Sequence, residues 1–256
     1  MNKGISHIDE ISQFGTDCNY SLWFPWLHYH SDEVVNLFIK TIGAELLVRD
    51  TSSTIVELLH RIKKNNKTLQ LFQRGLYEAF SRLNAGELWF FSVNAYIGDI
   101  WNVTFRETIE WVMARFKKRY RHQITIEVVE TPYGDIDGKF IDNIIWLRHH
   151  GFGIAIDDYD LFGDEDNNVS EDILRAIWKH CTKIKLDWRI TKTLIKQKTI
   201  RRQLLSLRSR YPKSKIVAEW IRNRADLLTL IGVVDQFQFT THKILGEWII
   251  CLSETL

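Results

Sequence analysis

Short apolar runs recur about eight times along the chain, and most are separated by a longer amphipathic stretch. The runs are "LWFPWLHY" (22–29), "LFIKTIGAELLV" (37–48), "LWFFSVN" (88–94), "ITIEVVE" (124–130), "GIAID" (153–157), "KIKLD" (183–187), "KIVAE" (215–219) and "DQFQFT" (235–240). Their length and β-branched content read as buried strands. "STIVELLHRIKK", "TLQLFQRGLYEAFSRL", "FRETIEWVMARFKKRY", "FIDNIIWLRHH", "SEDILRAIWKHC" and "TKTLIKQKTIRRQLLSLRSRY" repeat apolar residues at helical spacing, so each is predicted to be one helical stretch. Strands alternating with helices in this number predict an α/β fold, a modified TIM-type (β/α)8 barrel. The first two runs are joined by a short turn around Ser31–Glu33, with no room for a crossover helix. That pair is therefore predicted to be antiparallel.

Only Pro25, Pro132 and Pro212 interrupt the chain, and no Ser/Gly linker divides it. One domain over 21–256 is expected, after a segment 1–20 whose role is unreadable. The 256 residues suffice for a sizeable core, and 45% of them are hydrophobic. A net charge of +2 gives no global pull toward nucleic acid or acidic membranes. Cys18, Cys181 and Cys251 are odd in number and far apart. They read as reduced thiols in a cytoplasmic protein. No signal peptide and no membrane-spanning stretch is evident. Ten tryptophans suit either a large aromatic core or an apolar partner surface.

The chemistry gathers at the ends of the runs. Glu45 lies in the second, Asn94 closes the third and Glu130 the fourth. Asp157 and Asp158 end the fifth, Lys185 and Asp187 the sixth, Glu219 the seventh, and Gln238 lies in the eighth. In a barrel the carboxyl ends of the strands converge on one mouth, where sites are built. Carboxylates gathered there repel one another unless cations intervene. Hard divalent ions with oxygen ligands, Mg²⁺ or Mn²⁺, answer that need, and the number of acids suits two of them. Paired ions suit in-line displacement at phosphorus. Lys185 is then read as orienting or deprotonating the attacking water, or as neutralising a phosphate oxygen. Asp187 either supports a ligand from behind or pairs with Lys185.

A single acid at a strand end is usually a helix cap, but many at corresponding ends argue for a shared site. His149 and His150 read as helix-end residues rather than ligands. "ARFKKRYRH" (114–122) and "KQKTIRRQLLSLRSRY" (196–211) read as solvated helix faces, with no nucleic-acid motif beside them. "DEDNN" lacks the glycine and closing glutamate of a calcium loop.

These same residues resemble the EAL domain, the bacterial phosphodiesterase module that linearises cyclic di-GMP, from about Trp23 to Gly246. "AELLVR" (44–49) is similar to the E-A-L-x-R signature, with Leu46 for alanine. "SVNAYIG", "IEVVE", "LRHHGFGIAIDDYD", "KIKLD", "IVAEWIRNRADL" and "VVDQFQF" resemble the family's later segments in order and spacing. The resemblance implies that Glu45, Asn94, Glu130, Asp157, Asp158 and Glu219 hold metal. It implies that Lys185 and Glu219 serve the attacking water, and that Arg49, Leu47 and Gln238 contact the nucleotide. An arginine fork suits a phosphate.

The chain also departs from the pattern. Where the family continues F-G-T-G-x-S after the paired aspartates, in a loop coupled to dimerisation, this chain has "YDLFGDEDNN", with Asp160 for the glycine. Trp220 and Arg222 replace the glycine and second glutamate of E-G-V-E, and Phe239 and Thr240 replace Gly-Tyr. Two functions are therefore expected as alternatives. One is metal-dependent hydrolysis of cyclic di-GMP to linear pGpG, by a chain that is monomeric or a homodimer. The other is a regulator that binds cyclic di-GMP, a protein partner or both, without hydrolysis.

Overall fold

Eight strands form one sheet in strict sequence order. They are β1 (Ser21–Trp23), β2 (Gly43–Leu47), β3 (Phe90–Tyr96), β4 (Ile124–Val129), β5 (Gly153–Tyr159), β6 (Lys183–Leu186), β7 (Lys215–Ile221) and β8 (Gln236–Phe239). The structure, a computed structural model, describes residues 21–23, 43–47, 54–86, 90–129, 138–161, 169–196, 198–221, 226, 229–230 and 232–239. Residues 1–20 and the turn expected at Ser31–Glu33 lie outside the described residues.

The short β1 pairs with β2 in antiparallel sense, Ser21 opposite Leu47 and Trp23 opposite Glu45. Every later neighbour pair from β2 to β8 is parallel. Gln238 on β8 donates to Glu45 on β2, 193 residues away in sequence, at 2.7 Å. Strands six places apart in the sheet meet side chain to side chain, so the sheet is strongly curled around its own interior.

Helices cover the outside: α1 (Ile55–Lys64), α2 (Thr68–Asn84), α3 (Ile97–Trp101), α4 (Phe105–Met113), α5 (Gly138–His149), α6 (Val169–Ile177), α7 (Trp188–Lys196) and α8 (Lys198–Arg210). Thr54 and Glu57 form a reciprocal capping box at the start of α1. Two long amphipathic stretches break where periodicity alone predicts continuity. α4 stops at Met113, and a 3-10 turn follows at Lys118–Gln123. Between them Phe116 stacks on Phe80 with centroids 5.2 Å apart, and it meets Tyr77 edge-on. The chain leaves the helix to make those ring contacts, which contribute about 0.5–1.5 kcal/mol each beyond area burial. Likewise α7 and α8 are separate helices.

The core lies between sheet and helices and consists of Phe, Ile, Leu and Val, with Phe72, Phe80, Phe91, Phe105, Phe140, Phe152 and Phe237 fully buried. β4 is buried along nearly its whole length, because helices cover one face and the curled interior the other. Trp111 and Trp146 are half-buried. Trp101, Trp178, Trp188 and Trp220 are exposed, and Lys139, Lys179 and Lys192 lie over the rings of the first three. Cys181 is a buried thiol pushed up to about 11 by its burial, which makes it an inert core residue.

Candidate functional site: an acidic cluster around Lys185

Pleating sends alternate residues of each strand into the curled interior. Register then stacks them: Asn94 sits opposite Glu127, Glu127 opposite Ala155, and Lys185 opposite Val217. The result is a polar centre built from seven strands, β2 to β8. Lys185 Nζ lies 2.6 Å from Glu127 Oε2, 2.7 Å from Asp157 Oδ1, 2.9 Å from Glu219 Oε1 and 3.5 Å from Glu45 Oε2. The short approach to Asp157 Oδ1 is ionic, because its angle makes no hydrogen bond. Asn94 Nδ2 and Gln238 Nε2 each donate to a different oxygen of Glu45 at 2.7 Å, fixing that carboxylate from both sides.

At two places the alternation breaks. The β5–β6 register shifts between Ile156 and Tyr159, and the β7–β8 register shifts between Ala218 and Ile221. Each irregularity holds a non-glycine residue in the left-handed region, Asp158 at φ 47° and Trp220 at φ 58°. A bulge re-aims side chains next to a site. Here it lets consecutive residues, Asp157 and Asp158, serve one place. Carboxylate oxygens of Asp157, Asp158 and Glu219 all lie within 4.8 Å of one another.

Trp220 gains little from its strained backbone, since its side chain is 56% exposed. Glycine adopts that conformation freely, whereas other residues are strained there by roughly 1–2 kcal/mol. Trp220→Gly is therefore expected to stabilise the protein by about 1 kcal/mol in a denaturant melt. An equal or larger loss of stability would show that the indole supports the fold.

Four carboxylates around one ammonium leave the cluster short of positive charge. Burial raises Glu127 to about 8; Lys185 opposes that rise, and Glu45 and Asp157 add to it. Glu219 is pushed well up for the same reason, burial first, with Lys185 opposing and Asp157 and Glu45 adding. Burial by itself would depress Lys185, but Asp157, Glu127, Glu219 and Glu45 hold it well above its ordinary value. The four acids thus favour the charged form of the lysine, and burial favours the protonated forms of Glu127 and Glu219.

Stability follows from that linkage. Between about 4.5 and about 8 the folded protein keeps a proton on Glu127 that the unfolded chain has released. The contribution is complete below 4.5 and is lost as pH rises through about 8. Thermal melts in a chelator are expected to show falling stability across this window and a shallower fall in Glu127→Gln, which mimics the neutral acid. Parallel profiles would show that Glu127 is ionised throughout.

The strand-end residues Glu45, Asn94, Asp157, Lys185, Glu219 and Gln238 meet here. Glu130, expected as a ligand, lies outside the described residues, as do Arg49 and Arg222; of Leu47 only the backbone is described. Glu127 is the acid of β4 in the cluster, a mid-strand residue that lies off the strand ends. An acid in mid-strand flanked by Ile126 and Val128 was the available signal. Asp187 does not pair with Lys185. It accepts from Arg189 through backbone N–H (2.6 Å), Nε and Nη2 (both 2.9 Å), opening α7. Asp160 lies 3.7 Å from Arg189 Nη2. His149 ends α5, and His150 Nδ1 lies 2.8 Å from the Trp146 carbonyl, as helix-end residues do.

The donor set fits a hard cation. Oxygens of Asn94, Glu127 and Gln238 are buried and have no hydrogen-bond partner, so oxygen lone pairs remain for a metal.

No protein-family model matches the chain, and no curated protein matches it. Solved structures do. An EAL domain protein from Listeria monocytogenes is 20% identical and superposes with a TM-score of 0.69 over 93% of this chain and 92% of that one. The fold is that of an EAL domain. The EAL-like frame is shared with PaMucR phosphodiesterase, solved as a c-di-GMP complex, at 18% identity and a TM-score of 0.69 over 91% of this chain and 94% of that one. It is shared also with the Xanthomonas citri FimX EAL domain, solved in complex with c-diGMP, at 12% identity and 0.69, over 91% and 90%. Among the described residues no helix is long and apolar enough to cross a membrane.

Proposed function

We propose that the protein is a cytoplasmic bacterial member of the EAL family, its sheet a modified TIM-type barrel, that hydrolyses cyclic di-GMP to linear pGpG. The observation that carries this reading is the convergence of Glu45, Asn94, Glu127, Asp157, Asp158 and Glu219 around Lys185 on the interior of an EAL-like fold. The c-di-GMP complexes of PaMucR and FimX support the choice of substrate.

Glu45, Asn94, Glu127, Asp157, Asp158 and Glu219 would hold Mg²⁺ or Mn²⁺, two ions by the number of oxygens. When bound, such ions acidify water and offset negative charge on phosphoryl oxygens. The chain's own residues do the rest. Lys185, locked protonated by its neighbours, acts as a donor: it orients the water or a phosphate oxygen and does not serve as base. With metal bound, Glu219 would give up the proton that burial favours on it, and its carboxylate would then accept the water proton. Water adds to phosphorus opposite the ribose 3′-oxygen, the P–O3′ bond breaks, and the released oxygen is protonated. Gln238 braces Glu45 from the far side of the sheet, and Arg49 is assigned to the nucleotide phosphate.

A second reading, a regulator that binds without hydrolysis, draws on Trp220 in its strained conformation directly after Glu219 and on Asp160 after the paired aspartates. Chromatography of cyclic di-GMP incubated with the protein and Mg²⁺ or Mn²⁺ decides. Accumulating pGpG supports hydrolysis. No product from folded, metal-loaded protein overturns it, and calorimetric nucleotide binding without turnover then establishes the regulator.

A further inference from the structure

The sheet carries two backbone irregularities of the same form, and the acidic cluster uses the first. On β5 the inward Asp157 is followed by Asp158 at φ 47°, and the β5–β6 register shifts between Ile156 and Tyr159. On β7 the inward Glu219 is followed by Trp220 at φ 58°, and the β7–β8 register shifts between Ala218 and Ile221. In each strand a left-handed residue comes directly after a carboxylate that touches Lys185. Regular pleating would send that residue to the helix-covered face. On β5 the bulge prevents this, since an oxygen of Asp158 lies within 4.8 Å of oxygens of Asp157 and Glu219. On β7 the indole also escapes burial beneath the helices. Trp220 is 56% exposed, between Glu219 at 6% and Ile221 at 0%.

A bulky residue at positive φ is strained, and this one recovers little of that strain through burial. Strain of this kind persists where a site uses the side chain it presents. Trp101, Trp178 and Trp188 are also exposed, but they lie on or beside helices with a lysine over each ring. Trp220 differs from them in lying within a strand, one residue from the cluster. Its Cα is about 3.8 Å from that of Glu219. A nucleobase is joined to its phosphate through a single ribose, so a phosphate at the cluster would hold its base at the rim, within reach of an indole placed there. An exposed indole face stacks on any base, because every base has a π-face.

We infer that the β7 bulge turns Trp220 to the carboxyl end of the sheet, where its ring is a stacking platform for one guanine of the bound dinucleotide. This rests on the reading that the acidic cluster takes cyclic di-GMP, and it holds whether the nucleotide is hydrolysed or only bound. Trp220 is then an affinity-determining residue beside the ligands, and it takes no part in the displacement at phosphorus.

The test follows tryptophan emission and nucleotide affinity in Mg²⁺ for the unaltered protein, Trp220→Ala, Trp220→Phe and Trp220→Gly. Cyclic di-GMP is expected to quench emission of the unaltered protein, and Trp220→Phe is expected to lose part of that quenching. Trp220→Ala is expected to raise the dissociation constant about tenfold, and KM with it where there is turnover, while kcat falls much less. Trp220→Phe keeps a flat ring and is expected to restore most of the affinity. Trp220→Gly is expected to melt higher than the unaltered protein and yet bind more weakly, whereas loss of an indole that supports the fold would lower both. The inference alone is overturned if cyclic di-GMP binds Trp220→Ala as tightly as the unaltered protein, or if Trp220→Phe binds as weakly as Trp220→Ala. If the unaltered protein binds no cyclic di-GMP, the functional reading fails and the inference falls with it.

Discussion

Asp157→Asn is expected to lower cyclic di-GMP turnover by about 10²–10³-fold while leaving the fold intact. Among the described residues, Asp157 is one of only two acids, Glu219 being the other, that both touch Lys185 and belong with Asp158 to one set of oxygens. It lies 2.7 Å from the Lys185 ammonium, and it belongs with Asp158 and Glu219 to the set of oxygens within 4.8 Å. It also sits where the β5–β6 register shifts, immediately before the left-handed Asp158. Asparagine keeps the size and backbone preference needed there but removes the charge that would hold a divalent ion. Metal affinity measured by calorimetry should fall with turnover, while circular dichroism stays unchanged. Activity within about tenfold of the unaltered protein, at saturating metal, would place the reaction elsewhere.

Much of this was legible in the sequence, for physical reasons. Buried parallel strands must be apolar over their length, so "ITIEVV" and "GIAID" stand out from the amphipathic helices that cover them. Convergence of strand ends places Glu45, Asp157, Lys185, Glu219 and Gln238 in one group from the sequence alone. Other features were hidden. Glu127 is not a strand-end residue, and pleating admits any inward residue to the centre. The break after Met113 left no trace in the apolar period, since it depends on Phe116 reaching Phe80 and Tyr77 across space. The bulges were half visible: two adjacent acids directed at one site cannot both follow a two-residue repeat. Trp220 gave no such hint, because a large side chain is the last residue expected at positive φ.

Lys185→Met is expected to destabilise the metal-free protein by about 3–5 kcal/mol at alkaline pH, the cost of leaving buried carboxylates without their counter-charge. The lysine is 2% exposed and is the cation shared by Glu45, Glu127, Asp157 and Glu219. The loss should shrink on acidification. Glu127 takes up its proton below about 8, and Glu219 is shifted in the same direction, so fewer charges then need a partner. Stability of the variant in a chelator should accordingly fall more steeply with rising pH than that of the unaltered protein. Mg²⁺ or Mn²⁺ should restore more stability to the variant than to the unaltered protein, because the ions then supply charge that the ammonium otherwise supplies. Turnover should not return with stability, since no donor is left to orient the water or a phosphate oxygen. Paired melts and rate measurements across pH, with and without divalent metal, separate the two roles. A variant whose melting temperature is insensitive to both pH and metal would show that the four acids are neutral in the folded protein and that Lys185 is held in place by packing alone.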